Sequence, residues 1–174
     1  MDTAGMKRIL IVGCAGSGKS SVAHELAARL KLPVFSLDNF YWLPGGLRRA
    51  QEEFAQLQLE ACQKDAWVID GTYLTHLPIR LDYADTIIFI DTPRWQCLLN
   101  VIKRWLASVF IRETFFAPGC SNSRMTLEFW LWVWRWHKTY YPLLLMILEP
   151  VPQERVIRLK SKNDIQKFLQ NVRQ

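Results

Sequence analysis

Residues Gly13-Cys14-Ala15-Gly16-Ser17-Gly18-Lys19-Ser20 form a G-x-x-x-x-G-K-S run. Ahead of it, Ile9-Leu10-Ile11-Val12 is the continuous apolar run of a strand covered on both faces. Behind it, 21–30 carries the pattern of an amphipathic helix. Few folds accept strand, glycine loop and helix in that order. The glycines let the backbone curl tightly enough for its N–H groups to converge on an anion. The new helix offers its positive end to the same place. Lys19 then brings a point charge to the β- and γ-phosphates of a nucleotide, and the Ser20 hydroxyl is a ligand for Mg²⁺. Gly13 to Ser20, with Ser21 next in line, are the expected ATP-binding segment.

The chain has 174 residues, enough for one domain with a core. With 50% hydrophobic and 22% charged residues it reads as globular, not disordered. A net charge of +6 suits a polyanion, and nucleotide, nucleic acid and membrane surface all qualify. Cys14, Cys62, Cys97 and Cys120 are scattered, with no zinc spacing and no disulfide framework. A reduced, cytoplasmic setting is expected. Cys14 sits where a helix N-terminus could lower its pKa; a small residue filling a loop is the plainer alternative. The start of the chain shows no secretory pattern. Residues 127–148 are strongly apolar, but Arg135, His137 and Lys138 would be costly at a bilayer centre. A core-facing helix is expected there and no integral membrane segment, with membrane-surface contact the lesser option.

Strand-like runs fall at 8–12, 33–36, 67–70, 86–90 and 155–159. Helical patterns fall at 20–30, 52–64, 94–109, 125–148 and 163–172. That alternation predicts an α/β fold: a parallel sheet with helices on both faces and right-handed crossovers. No repeat or linker interrupts it, so one domain over 1–174 is expected. The connection at 110–124 holds Pro118-Gly119, Arg112 and Arg124, with Arg104 just upstream. A long arginine-bearing loop in such a chain suggests a lid that closes on phosphates, against an ordinary solvated basic loop.

Carboxylates at strand ends come next, because the C-terminal ends of parallel strands face the ligand crevice. Asp70 ends the apolar run Trp67-Val68-Ile69 and is the expected second Mg²⁺ ligand beside Ser20. Asp38 follows Phe35-Ser36-Leu37 and could orient an acceptor hydroxyl and take its proton. Tyr41 and Trp42 beside it could stack a flat acceptor, or could be core under a loop. Arg80, Arg104, Arg112 and Arg124 are candidates for gripping phosphoryl oxygens or the acceptor, since guanidinium forks match that geometry. Arg94 is expected to stack or pair locally. The aromatic run from Phe129 to Tyr141 goes round too much of a helix to be one face. Part of it must be core.

The segments GCAGSGKS, SLDNFYW, WVIDGTY and Arg80 to Asp91 with Thr92-Pro93-Arg94-Trp95 resemble the DNA topology modulation (FlaR-related) proteins, P-loop proteins similar to adenylate kinase and other nucleoside and nucleotide kinases. The resemblance implies a five-stranded parallel sheet in the order 2-3-1-4-5, ATP as substrate and Mg²⁺ as its companion. It implies a metal role for Asp70 and a lid-arginine role for Arg104, thirteen residues after Asp91. Asn100 stands where adenylate kinases carry the arginine that stacks on adenine. Leu74 stands where they carry the arginine that grips an acceptor monophosphate, and Arg80 could substitute. Asp38 resembles the acidic residue that handles an acceptor hydroxyl in uridine-kinase-like and shikimate-kinase-like enzymes.

The expectation is therefore an ATP-dependent kinase acting on a small molecule, with Lys19, Asp38, Arg104, Arg112 and Arg124 as its working residues. A nucleotide-dependent regulator acting on DNA or a protein partner is the second reading, and slow ATP hydrolysis the third. No helix-turn-helix or zinc finger is visible, so DNA is the less favoured partner. Acceptor identity and oligomeric state are not readable from the residues.

Overall fold

The computed structural model describes residues 5–111 and 127–172, and the side chains of 5–107 and 129–172. Strand β1 (Arg8–Gly13) runs through the middle, and its residues from Ile9 to Val12 are fully buried. It pairs in parallel with β3 (Trp67–Asp70) on one side and β4 (Thr86–Ile90) on the other. The short β2 (Val34–Ser36) adds to β3, and β5 (Val156–Leu159) adds to β4. The sheet is five-stranded and parallel, in the order β2-β3-β1-β4-β5, as the sequence predicts.

The central strands read as unbroken apolar runs because both faces are covered, yet they still sort by alternation. Leu10 and Val12 point into one core with Ile69, Ile87 and Phe89; Ile9 and Ile11 point into the other with Val68, Ile88 and Ile90. The second core is closed by α1 (Lys19–Leu30) and α7 (Lys162–Asn171), through Val22, Leu26, Phe168 and Leu169. The first lies under α2 (Leu37–Tyr41), α3 (Gln51–Cys62), α4 (Leu77–Leu81), α5 (Arg94–Ile111) and α6 (Leu127–Leu148). Two of these, α2 and α4, are five-residue helices that the sequence patterns do not announce. In α6, Val133, Trp136, Leu144 and Leu148 are buried while intervening aromatics are half-exposed. Among the described residues no helix is long and apolar enough to cross a membrane.

Polar clasps hold the strand ends. The Asp85 carboxylate accepts from the Lys7 and Arg8 amides at 3.0 and 2.7 Å, fixing the entry to β1. The Arg155 guanidinium caps the carbonyls of Leu81 and Ala84. Arg158 of β5 forms an ion pair with Asp91 at 2.6 Å, just past β4. Helix α7 starts with a capping box: the Ser161 hydroxyl accepts from the Asp164 amide at 3.1 Å, and Asp164 accepts from the Ser161 amide at 2.9 Å.

Hydrogen bonds from Ser161 and from the Lys160 amide hold the Asp164 carboxyl below its ordinary range. A lowered carboxyl contributes stability above its unfolded pKa and loses it as the pH falls through the lowered value. Asp164→Ala is therefore expected to lower the urea midpoint at neutral pH, with the gap to the parent closing in acid. Ser161→Ala is expected to cost about 1 kcal/mol at neutral pH, read from the same titrations.

Candidate functional site

Between β1 and α1 the chain turns through the glycine-rich segment, and its outward side is clamped at several points. Thr72 Oγ1 accepts from the Gly13 amide at 3.0 Å and donates to the Gly13 carbonyl at 2.6 Å. Asn100 Nδ2 donates to the Gly16 carbonyl at 2.8 Å, and Thr92 Oγ1 donates to the Ser17 carbonyl at 3.2 Å. Lys19 Nζ donates to the Cys14 carbonyl at 2.8 Å. The carbonyls are thus taken up by the protein. The amides of Gly16, Gly18 and Lys19 donate to no backbone carbonyl among the described residues. A row of unclaimed N–H groups at the start of α1 is an anion nest.

Glycine is required at two places for lack of room. A Cβ on Gly13 would lie 2.5 Å from the Ile90 carbonyl oxygen. One on Gly16, at φ +76°, would lie 2.4 Å from the Cys97 carbonyl oxygen and 2.7 Å from Val101. The loop therefore rests directly on β4 and on α5.

Asp70 ends β3 beside Ile11, with Gly71 bonded back to the Ile11 carbonyl. Its Oδ2 accepts from the Ser20 hydroxyl at 2.6 Å, and its Oδ1 is buried with no partner among the described residues. Burial raises its pKa, opposed by Lys19 and by the Ser20 hydrogen bond. A hydroxyl and a carboxylate in contact, with one carboxylate oxygen unsatisfied, is a donor set that fits a hard divalent cation such as Mg²⁺.

Asp38 sits in the first turn of α2, exposed, and its Oδ1 accepts from the Tyr73 hydroxyl at 2.7 Å. Leu37 packs so closely on Gly71 that a Cβ there would meet its side chain at 2.8 Å, which brings α2 onto the end of β3. Asp38 is near enough to Asp70 for its charge to raise the Asp70 pKa. Arg104 on α5 is largely buried, which lowers its pKa; Asp38 and Asp70 both oppose that shift. Lys19, Ser20, Asp70, Asp38 and Arg104 thus converge at the C-terminal ends of β1 to β3.

Tyr73 was not among the residues predicted from sequence. It holds a left-handed backbone at φ 31°, and such strain in a non-glycine residue is kept only where neighbours enforce it. Arg80 does so. Its guanidinium donates to the carbonyls of Gly71 (2.8 Å), Thr72 (2.6 Å) and Tyr73 (3.0 Å). Arg80 is 0% exposed, and burial pushes its pKa down to about 9. This corrects the expectation that Arg80 touches an acceptor: its donors are turned inward to the loop after β3.

Tyr41 lies in an aromatic cluster, 5.0 Å from the Tyr73 ring and 5.1 Å from Phe54. Trp42 is half-buried against Tyr41, with the Arg48 guanidinium 5.8 Å from its ring. Arg94 stacks on Trp134. Asn100 does not await a base; it clamps the loop. Cys14 is buried, and its pKa is raised by the neighbouring Cys97 thiol and by burial, so the helix terminus does not make it a reactive thiolate. Arg112, Arg124, Cys120 and the lid reading, which spans 110–124, fall outside the described residues, apart from the end of α5.

No family model and no curated protein matches the chain. Solved structures do. Shikimate kinase from Acinetobacter baumannii, in complex with shikimate, aligns over 95% of this chain and 92% of its own, with 17% identity and a TM-score of 0.58. A gluconokinase from Sinorhizobium meliloti 1021 aligns over 95% and 89%, with 14% identity and a TM-score of 0.53. Shikimate kinase from Bacteroides thetaiotaomicron aligns over 97% and 96%, with 15% identity and a TM-score of 0.51. The chain has the P-loop NTPase fold that these proteins share.

Three outcomes test this geometry. Gly16→Ala is expected to abolish saturable Mg-ATP binding by calorimetry, since the loop cannot keep its shape against α5. Arg80→Met leaves three carbonyls unpaired and is expected to cost about 3 kcal/mol in urea titrations. Cys14 is expected to resist iodoacetamide at mildly alkaline pH in the native protein and to react once unfolded.

Proposed function

We propose that this chain is an ATP-dependent kinase that phosphorylates a hydroxyl group on a small molecule. The observation that carries the reading is Asp38: a second carboxylate at the phosphate-loop mouth, distinct from Asp70 and held in place by Tyr73. A nucleotide switch acting on DNA needs the loop and the metal ligands. It has no use for an exposed carboxylate fixed beside them, so the kinase reading is preferred to the regulatory role of the FlaR-related proteins.

The roles follow from position. The loop amides and Lys19 bind the β- and γ-phosphates. Ser20 and Asp70 would hold Mg²⁺, which neutralises charge on the phosphate oxygens when bound. Asp38 accepts a hydrogen bond from the acceptor hydroxyl and takes its proton as the oxygen attacks the γ-phosphorus, the bond from that phosphorus to the β–γ bridging oxygen breaks and ADP leaves. Arg104, on α5 near both carboxylates, stabilises the charge spread over the transferring group. Arg112 and Arg124 are proposed to join it from the lid. Tyr41 and Trp42 form the acceptor side of the cleft. Arg80 serves the site indirectly by fixing the Gly71–Tyr73 turn, and through it the Tyr73 hydroxyl on Asp38.

The test is a screen of nucleosides, nucleotides and small alcohols with Mg-ATP, read as new phosphorylated product. With the acceptor in hand, Asp38→Asn is expected to lower turnover by about 10²–10⁴-fold while Mg-ATP binding persists. Unchanged turnover would remove the base assignment. Tyr73→Phe is expected to lower turnover by about tenfold through loss of the aligning hydrogen bond.

A further inference from the structure

Among the described residues, the exposed large hydrophobic side chains lie, Leu47 apart, on α5 and α6. On α5, Trp95 (59% exposed), Leu99 and Leu106 fall on one helical stripe with the half-buried Ile102 between them. Cys97 and Val101 occupy the opposite, buried side. On α6, Leu131, Trp134, Leu145 and Met146 (66% exposed) stand outside the residues that fill the core. The two helices pack on each other, with Arg94 4.5 Å from the Trp134 ring and Trp105 edge-on to Trp130 at 6.3 Å. An outward face that carries exposed apolar side chains at helical period on two neighbouring helices marks an interaction surface.

Charge selects its occupant. The two helices carry Arg94, Lys103, Arg104, Arg135 and Lys138 against the single carboxylate of Glu128. Lys103, Arg135 and Lys138 are exposed and form no ion pair among the described residues. They share the outward sector: Lys103 follows Leu99 by one turn, Arg135 follows Leu131, and Lys138 follows Trp134. A second copy of the chain would set these cations against one another. Duplex DNA would satisfy the cations but leave leucine and methionine side chains against phosphate and water. A bilayer with anionic head groups satisfies both, with cations at the phosphates, indoles at the interface and aliphatic side chains below. Because neither helix is long and apolar enough to cross, they would lie in the plane of the surface.

We propose that the outward faces of α5 and α6 dock this protein on a membrane surface bearing anionic lipids. The full chain is sedimented with vesicles of phosphatidylcholine, with and without phosphatidylglycerol, while tryptophan emission is followed. Binding is expected only with phosphatidylglycerol, weakening with salt and accompanied by a blue shift. The triple variant Lys103→Glu, Arg135→Glu, Lys138→Glu is expected to lower the affinity by about tenfold or more. The double variant Trp95→Gln, Met146→Gln is expected to lose both binding and blue shift, with Mg-ATP binding retained as the check on folding. Absence of vesicle binding overturns the proposal, as does binding without an emission shift. So does a dimer in solution that the double variant separates, or duplex DNA binding in place of lipid.

Discussion

The structure depends on how the carbonyls of one short loop are satisfied. A phosphate nest needs its N–H groups turned towards the ligand, so the peptide oxygens must be accommodated on the other side. Here Thr72 after β3, Thr92 after β4 and Asn100 on α5 donate to the carbonyls on that outer side. Each clamp comes from a different element, and the parallel sheet is what brings their ends to one edge. The buried central strands, the missing side chains at Gly13 and Gly16, and the placement of Asp70 all serve the same arrangement.

A second layer of order surrounds Asp38. Arg80 is buried at the cost of desolvating a guanidinium, and three carbonyls in a row offset that cost. The Gly71–Tyr73 turn then has one shape, including the left-handed Tyr73, and its phenol meets Asp38 thirty-five residues earlier in the chain. The polar centre is thus organised from within. Asp38 stands exposed at its rim.

The sheet was legible in the sequence because strands covered on both faces appear as unbroken apolar runs. Even β2, three residues long, was marked by its position between helical patterns. Helices α2 and α4 were not, since five residues hold too little of the helical period to show a face. The positions of the glycine loop, Asp70 and Asp38 were legible because each is a local signal tied to a strand end. The direction of Arg80 was not: spacing places an arginine near a turn but cannot say whether it faces cleft or core. The Tyr73 contact was hidden for a related reason. The residue was in view beside Asp70-Gly71, but its partner lies on another element. Asn100 stands at the position of a stacking arginine, but its short amide reaches a loop carbonyl at 2.8 Å.

At Gly16 the phosphate loop and α5 meet backbone to backbone, with no side chain of the glycine between them. Soft side chains usually cushion such a meeting and let one part shift without the other. Here the glycine contributes no side chain to compress, and the Asn100 bond adds a tether. Loop and helix are therefore held at a close, fixed spacing. The same helix bears Trp95 and Leu99 on its exposed flank, so the glycine-rich loop and the outer wall of the molecule share one element.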